Sequence, residues 1–174
     1  MTETDPAPLE PRRAWWARPR KLVVLERPGG GGRSHRAERR AREVAWLRAR
    51  GVHTVVSVMA TRHGLTGYED AGLAWHHVPA PVTAQAEEAL EEVVDLLAQE
   101  LRRSGAVAVH GNLHTDFVAA VGAAYLHRER GIDPVVGLAK AAGRGLTLTP
   151  EACALAGADH AEVLAALERF SVAA

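Results

Sequence analysis

Four side chains capable of acid–base chemistry or polar contact are spaced through one short segment, residues 110–117. The segment reads His-Gly-Asn-Leu-His-Thr-Asp-Phe, and the four side chains are those of His110, Asn112, His114 and Asp116. Histidine exchanges protons near neutral pH, and a neighbouring carboxylate can accept or donate a proton. The segment therefore carries the groups that proton transfer on a small molecule requires, as in an isomerase, a cyclase or a lyase.

The residues on either side of this segment predict where it lies in the fold. The fully apolar run from Ala106 to His110 is typical of a buried strand in a parallel sheet, and a helix is predicted from near Phe117 to Gly131. Ligands of such sheets bind outside the carboxyl ends of the strands. The free amides and the dipole of a helix N-terminus also favour negative charge. We therefore expect segment 110–117 to be an anion-binding loop.

The remaining sequence alternates strand and helix patterns. Strands are predicted at 21–25, 53–59 and 73–78, and helices at about 35–50 and 84–103, with shorter helices beginning at the cap signals Asp133-Pro134, Thr149-Pro150 and Asp159 with Glu162. This order predicts an α/β domain of three layers, with a mostly parallel central sheet of about four to five strands flanked by helices. Residues 1–20 are predicted to be an irregular N-terminal arm, and residues 21–174 a single domain.

Three more histidines are expected at the same edge of the sheet. His76 and His77 end the strand at 73–78, and His63 lies in the loop after the strand at 53–59. Successive side chains of a strand point to opposite faces, so only one of His76 and His77 can face the site. The sequence leaves open which one does.

The composition excludes several classes of protein. The 21 Lys and Arg residues balance 21 Asp and Glu residues, which argues against a nucleic-acid-binding protein of high overall basicity. Residues 1–50 hold 13 of these basic residues against 6 acidic ones, and a solvated surface accounts for that excess. A single cysteine, Cys153, excludes an internal disulfide, and no apolar run suggests a signal peptide or a membrane span. We expect a cytoplasmic protein without membrane or nucleic-acid partners.

Taken together, these segments resemble the dual-specificity branch of the cysteine-dependent protein tyrosine phosphatases. In that family an apolar strand leads into His-Cys-x-x-Gly-x-x-Arg and then into a helix of small residues. The stretches LRARGVHTVVSVM, GLAWHHVPAP and GIDPVVGLAKAAGRG resemble other segments of the family in the same order, and the match covers roughly residues 22–160. The resemblance implies the tyrosine phosphatase-like fold.

The chemical positions of that motif are replaced in this chain. Gly111 stands where the family has its nucleophilic cysteine, His114 where it has glycine, and Phe117 where it has the arginine that holds the phosphoryl oxygens. The general-acid aspartate would fall at Val82. Cys153 lies far along the chain among ACALAG and is predicted to be a buried small hydrophobe. The resemblance thus implies a phosphatase fold that lacks the nucleophile, the proton donor and the arginine that holds the phosphoryl oxygens.

Most residues of the segment also have a structural interpretation. By the resemblance, His110 orients the loop through hydrogen bonds, and Phe117 fills the volume of the missing arginine. Thr115 or Asp116 caps the following helix, and Asn112 bridges loop backbone. His114 has no such role, since glycine serves there for backbone shape. We therefore expect His114 to be the functional side chain.

A metal site is a third possibility. His110, His114 and Asp116 would supply three ligands, with a fourth from His76 or His77. Their spacing matches no established metal motif, so we expect neither a metal nor another cofactor.

These observations lead to two hypotheses. The first is a catalytically dead phosphatase-fold protein, a pseudophosphatase, that binds a polar or anionic small ligand or a protein partner at the degenerate loop. The second is a repurposed small-molecule enzyme with His114 and Asp116 as catalytic residues. The expected ligand-binding residues are His110, Gly111, Asn112, His114, Thr115, Asp116, Phe117, His76, His77 and His63.

Overall fold

The computed structural model describes residues 6–31, 36–80, 86–103, 105–112 and 114–173. Within these ranges the strands are β1 (Ala14–Arg18), β2 (Leu22–Glu26), β3 (Val52–Ser57), β4 (Ala74–His77) and β5 (Ala106–Gly111). The helices are α1 (Ala37–Ala49), α2 (Thr66–Asp70), α3 (Ala86–Glu100), α4 (Asp116–Arg130), α5 (Pro134–Gly143), α6 (Pro150–Leu155) and α7 (His160–Val172).

The sheet has the order β1-β2-β5-β3-β4, so the strand that leads into segment 110–117 lies at its centre. Strands β2, β5, β3 and β4 are parallel, and β1 is antiparallel to β2. His110 is paired with Leu25 on one side and with Ser57 on the other. The predicted mostly parallel sheet is therefore confirmed, and its carboxyl ends meet around His110.

Two hydrophobic cores cover the two faces of this sheet. The larger packs α3 and α4 to α7 against one face, through residues such as Val24, Val56 and Val109. The smaller packs α1 and α2 against the other face, through residues such as Leu25 and Tyr68. The three predicted layers are confirmed, and paired strand residues such as Leu25 and His110 point to the α1–α2 face.

The predicted irregular arm over residues 1–20 is wrong for Ala14–Arg18, which form the edge strand β1. Trp15 pairs with Val24 and is only 4% exposed. A β-carbon on Gly122 would lie 2.5 Å from the Trp15 ring, so this glycine makes room for it. Two adjacent tryptophans thus reach opposite cores, which gives a five-residue strand a stability that its short pattern did not indicate.

Local capping signals position the helices that follow α4. The Asp159 carboxylate accepts a hydrogen bond from the amide of Glu162 at 3.1 Å, and Asp133 and Thr149 cap α5 and α6 in the same way. Gly131 ends α4 with a φ of 64°, in the left-handed region that favours glycine. All three predicted caps are confirmed. None of the described helices combines the length and apolarity that crossing a membrane requires.

Candidate functional site

Segment 110–117 leaves the central strand at the edge where the four parallel strands end. His110 is 1% exposed and Gly111 is buried, whereas the side chains of Asn112 and His114 are exposed. Helix α4 begins at Asp116, one residue before the predicted start. The segment thus presents Asn112 and His114 to solvent above a buried base.

His110 is held by two hydrogen bonds that fix its protonation. Its Nδ1 lies 3.0 Å from the carbonyl oxygen of Gly111, which can only accept, so Nδ1 carries the proton. The Tyr68 hydroxyl then donates to Nε2 over 3.0 Å. Burial lowers the pKa of His110 to about 4, so the ring is neutral at neutral pH. His110 orients the loop, as the resemblance implied, and its lone pair is occupied.

Tyr68 and two arginines form the surroundings of His110 on the α1–α2 face. Burial raises the pKa of Tyr68 to about 12, although the charges of Arg40 and Arg27 act in the opposite direction. The Arg40 guanidinium stacks over the Tyr68 ring, 4.9 Å from its centroid. A guanidinium nitrogen of Arg27 donates to the carbonyl of His63 over 3.4 Å, and the side chain of His63 is exposed.

Position 111 has little room for a larger side chain. A β-carbon on Gly111 would lie 3.1 Å from the carbonyl oxygen of His114 and 3.6 Å from Cγ1 of Val118. Phe117 is half-buried and packs against the larger core. No positive φ accompanies His114, so its side chain is accommodated without backbone strain. The loop therefore accommodates glycine, histidine and phenylalanine at its three replaced positions.

The prediction that Thr115 or Asp116 caps α4 is wrong. Thr115 occupies the N-cap position, but no side chain caps this helix. The Thr115 hydroxyl instead accepts a hydrogen bond from the amide of Thr147 at 2.8 Å, and Asp116 accepts one from the Thr149 hydroxyl at 3.1 Å. The loop before α6 thus binds both side chains. As a result, no side chain caps the backbone amides in the first turn of α4.

The two strand histidines point to opposite faces. His77 lies on the same face as His110, and its Nε2 donates to the carbonyl of Met59 over 2.7 Å. His76 faces α3, where its Nε2 lies 3.4 Å from a carboxylate oxygen of the buried Glu100. Of the two, only His77 lies beside the candidate site. His76 points away from segment 110–117 because successive side chains of a strand alternate between the two faces of the sheet, as the sequence required.

Comparisons with known proteins bear on the fold. No protein-family model and no curated protein sequence matches the chain. Several solved structures match it. Tk-PTP in its active form is 23% identical, with a TM-score of 0.62 over 90% of this chain and 97% of its own. Human DUSP28 is 20% identical, with a TM-score of 0.62 over 95% of this chain and 99% of its own. TpbA of P. aeruginosa in complex with pTyr is 19% identical, with a TM-score of 0.62 over 97% of this chain and 99% of its own.

The chain has the fold of the dual-specificity and tyrosine phosphatases. Within this phosphatase fold, segment 110–117 connects β5 to α4 at the carboxyl edge of the sheet. Val82, the position predicted for a general acid, and Leu113 lie outside the described residues. Cys153 is buried, and burial raises the pKa of its thiol, in agreement with its predicted role as a small hydrophobe.

A metal site has no support in the described part of the phosphatase fold. No group of three or more His, Cys, Asp or Glu side chains is placed there to hold an ion. Both ring nitrogens of His110 bind protein atoms, and Asp116 is bound by Thr149.

Sequence reasoning missed Arg27, Arg40 and Tyr68. Arg27 follows β2 directly, so the rule that ligands bind at carboxyl ends of strands would have found it if applied to every strand. Arg40 and Tyr68 lie on helices, and nothing in their spacing indicates that they meet.

Proposed function

We propose that this chain is a pseudophosphatase that binds a polar or anionic small ligand, or the matching group of a protein partner, at segment 110–117 without hydrolysing it. The observation that carries the proposal is the combination of Gly111 and Phe117 with an α4 N-terminus free of side-chain caps. The loop keeps donors for a negative or polar group and lacks a nucleophile.

Phosphoester cleavage needs groups that the segment does not contain. Gly111 offers no thiolate, and the Phe117 side chain packs on the core in place of a guanidinium. Without a nucleophile no covalent intermediate forms. Without the arginine, the charge that develops on the phosphoryl oxygens is not stabilised. Binding through backbone amides requires neither group.

The second hypothesis, an acid–base enzyme, is less favoured by the geometry. Proton transfer needs two titratable groups that face a common point. His110 is buried and neutral, Asp116 accepts from Thr149, and His77 donates to Met59. His114 is thus the single exposed histidine of segment 110–117, and no described partner orients it.

The proposal is tested with an aryl phosphate as the probe, by following both turnover and the backbone amide NMR shifts. We expect shifts at Asn112 and residues 114–117 that saturate, with no release of the aryl alcohol. His114→Ala should weaken binding several-fold, whereas His127→Ala, at the opposite end of α4, should leave it unchanged. Asp116→Asn should bind normally, because its amide oxygen still accepts from Thr149.

Two results would contradict the proposal. One is turnover that persists after repurification and is abolished by His114→Ala or Asp116→Asn, which would support the enzyme hypothesis. The other is saturable binding whose amide shifts lie elsewhere and which His114→Ala does not affect.

A further inference from the structure

Two guanidinium groups meet on the α1–α2 face of the sheet edge, outside segment 110–117. Arg27 follows β2 and is 8% exposed, while Arg40 projects from the first turns of α1 and is half-buried. A β-carbon on Gly64 would lie 3.1 Å from Nη2 of Arg27 and 2.9 Å from Nη1 of Arg40. The two cations therefore flank the same point on the loop that follows β3.

The positive charge of this pair is not balanced by the protein. No ion pair joins either guanidinium to a carboxylate of the described residues. Glu43 is the nearby acid, but its two oxygens are bound by Nε of Arg39 at 2.6 Å and by the amide of Gly29 at 2.7 Å. The groups that the two arginines do contact are neutral: the carbonyls of His63 and Gly64 and, for Arg40, the ring of Tyr68.

The surroundings make this arrangement costly in the absence of an anion. Arg40 lies near the N-terminus of α1, the positive end of the helix dipole, and no side chain caps that helix. Burial and the charge of Arg40 both lower the pKa of Arg27. Two like charges, one of them buried, beside a helix N-terminus form a site that a bound anion would stabilise.

The free donors of the pair remain within reach of solvent. Among the described residues, the only side-chain polar atoms both fully buried and without a hydrogen-bond partner are the ring nitrogens of His53. Each side-chain nitrogen of Arg27 and Arg40 that has no hydrogen-bond partner therefore keeps some solvent-exposed surface. The exposed His63 and the half-buried Gly64 border the approach.

We propose that Arg27 and Arg40 together bind a phosphate-type oxyanion, either inorganic or as the terminal group of a small phosphate or sulfate ester. The planar guanidinium presents paired N–H donors that match two oxygens of such a group, so two guanidiniums hold it from two sides. The two arginines follow β2 and lie on α1 rather than on segment 110–117, and the proposal does not depend on the function proposed there.

The test is calorimetric titration of the intact chain with inorganic phosphate and with sulfate, against chloride at equal ionic strength and near neutral pH. We expect saturable binding of both oxyanions, with a rise in the melting temperature that grows with the logarithm of their concentration. Arg40→Gln should weaken binding about tenfold or more, since it removes a charged hydrogen-bond donor. Arg27→Lys, which keeps the charge but removes the planar donor pair, should weaken it as well.

Arg62→Gln is the matched control, because it removes one positive charge from the same loop without touching the pair. It should leave the affinity unchanged. His114→Ala should also leave it unchanged, which separates this site from the one at segment 110–117. Far-UV circular dichroism checks that each variant is folded. Arg40→Gln is the decisive variant, because replacing the half-buried Arg40 disturbs folding less than replacing the buried Arg27.

Three results would overturn the proposal. The first is that oxyanions bind no better than chloride. The second is that Arg62→Gln weakens binding as much as Arg40→Gln, which would indicate general charge screening. The third is that His114→Ala abolishes binding while Arg40→Gln does not, which would place the anion on segment 110–117 instead.

Discussion

The Tyr68 hydroxyl lies 3.0 Å from Nε2 of His110 and links helix α2 to the end of the central strand. Both residues are almost fully buried, at 1% exposure each. Since Nδ1 of His110 donates to the Gly111 carbonyl, the Tyr68 hydroxyl is the donor that satisfies the other ring nitrogen. The conformation at the start of segment 110–117 thus depends on a residue 42 positions earlier in the chain.

Tyr68→Phe should destabilise the protein by about 1–3 kcal/mol, because it leaves the His110 lone pair buried without a donor. Tyr125→Phe is the matched control. Tyr125 is also buried, but its hydroxyl receives only a 3.4 Å contact from the partly exposed Arg18, so its loss should be below about 1 kcal/mol. Chemical denaturation measures both. Equal losses in the two variants would contradict the assigned role of Tyr68.

The stability of the protein should fall as the pH is lowered from about 6.5 towards 4. Burial lowers the pKa of His110 from 6.5 to about 4 in the folded state. In that window the unfolded chain binds a proton that the folded protein does not, so protonation favours unfolding, by up to about 3 kcal/mol. His110→Gln should be less stable near neutral pH and should show a flatter slope over this window.

Denaturation at a series of pH values separates His110 from the carboxylates, which titrate in both proteins. Parallel profiles for wild type and His110→Gln would show that His110 does not contribute. NMR titration of the His110 ring gives an independent reading, and a pKa near 6.5 would contradict its assignment as a neutral buried group.

Gly111→Cys should not create a phosphatase and should destabilise the fold by about 1–3 kcal/mol. The added β-carbon would lie 3.1 Å from the His114 carbonyl oxygen, and Phe117 still occupies the position where the family has its arginine. Gly111→Ala adds the same β-carbon without the thiol and should be destabilised to a similar degree. Gly143→Ala, whose β-carbon meets only Leu167 at 3.8 Å, should be unchanged or slightly more stable.

These variants are compared by chemical denaturation and by aryl phosphate turnover. Turnover by Gly111→Cys that clearly exceeds that of Gly111→Ala would contradict this prediction. It would show that segment 110–117 still accepts a phosphate in a reactive position.

Glu100→Gln should destabilise the protein by about 1–2 kcal/mol. The Glu100 carboxylate is buried, accepts from the Thr54 hydroxyl at 3.1 Å and lies 3.4 Å from His76 Nε2 and 3.5 Å from an Arg103 guanidinium nitrogen. The variant keeps an acceptor for Thr54 and loses only the charge, and the exposure of His76 and Arg103 limits the cost. Glu92→Gln, exposed on the same helix, should change stability by less than about 0.5 kcal/mol. A comparable loss in both variants, measured by thermal or chemical denaturation, would contradict a specific role for Glu100.

The parallel strands and the caps of α5, α6 and α7 were predictable because their signals are local. The apolar run ending at His110 can be buried only in the middle of a sheet, and the cap at Asp159 joins residues three positions apart. The position of segment 110–117 follows from the same logic, since a parallel strand must release its chain at the carboxyl edge. Strand β1 was not predictable in this way, because its two tryptophans stabilise it by packing into the two hydrophobic cores.

The roles of individual side chains at the site were decided by contacts between distant parts of the chain. Asp116 has the residue type and the position of a cap, yet Thr149, 33 residues later, binds its carboxylate. The sequence established that His76 and His77 point to opposite faces, but the order of the neighbouring strands and helices decided that His77 faces His110. Arg27, Arg40 and Tyr68 likewise meet only after β2, α1 and α2 have packed together.

Periodicity and capping act over a few residues, so the sequence determined the elements and the edge where they end. Which polar groups pair at that edge depends on packing between elements, and only the tertiary structure decided it.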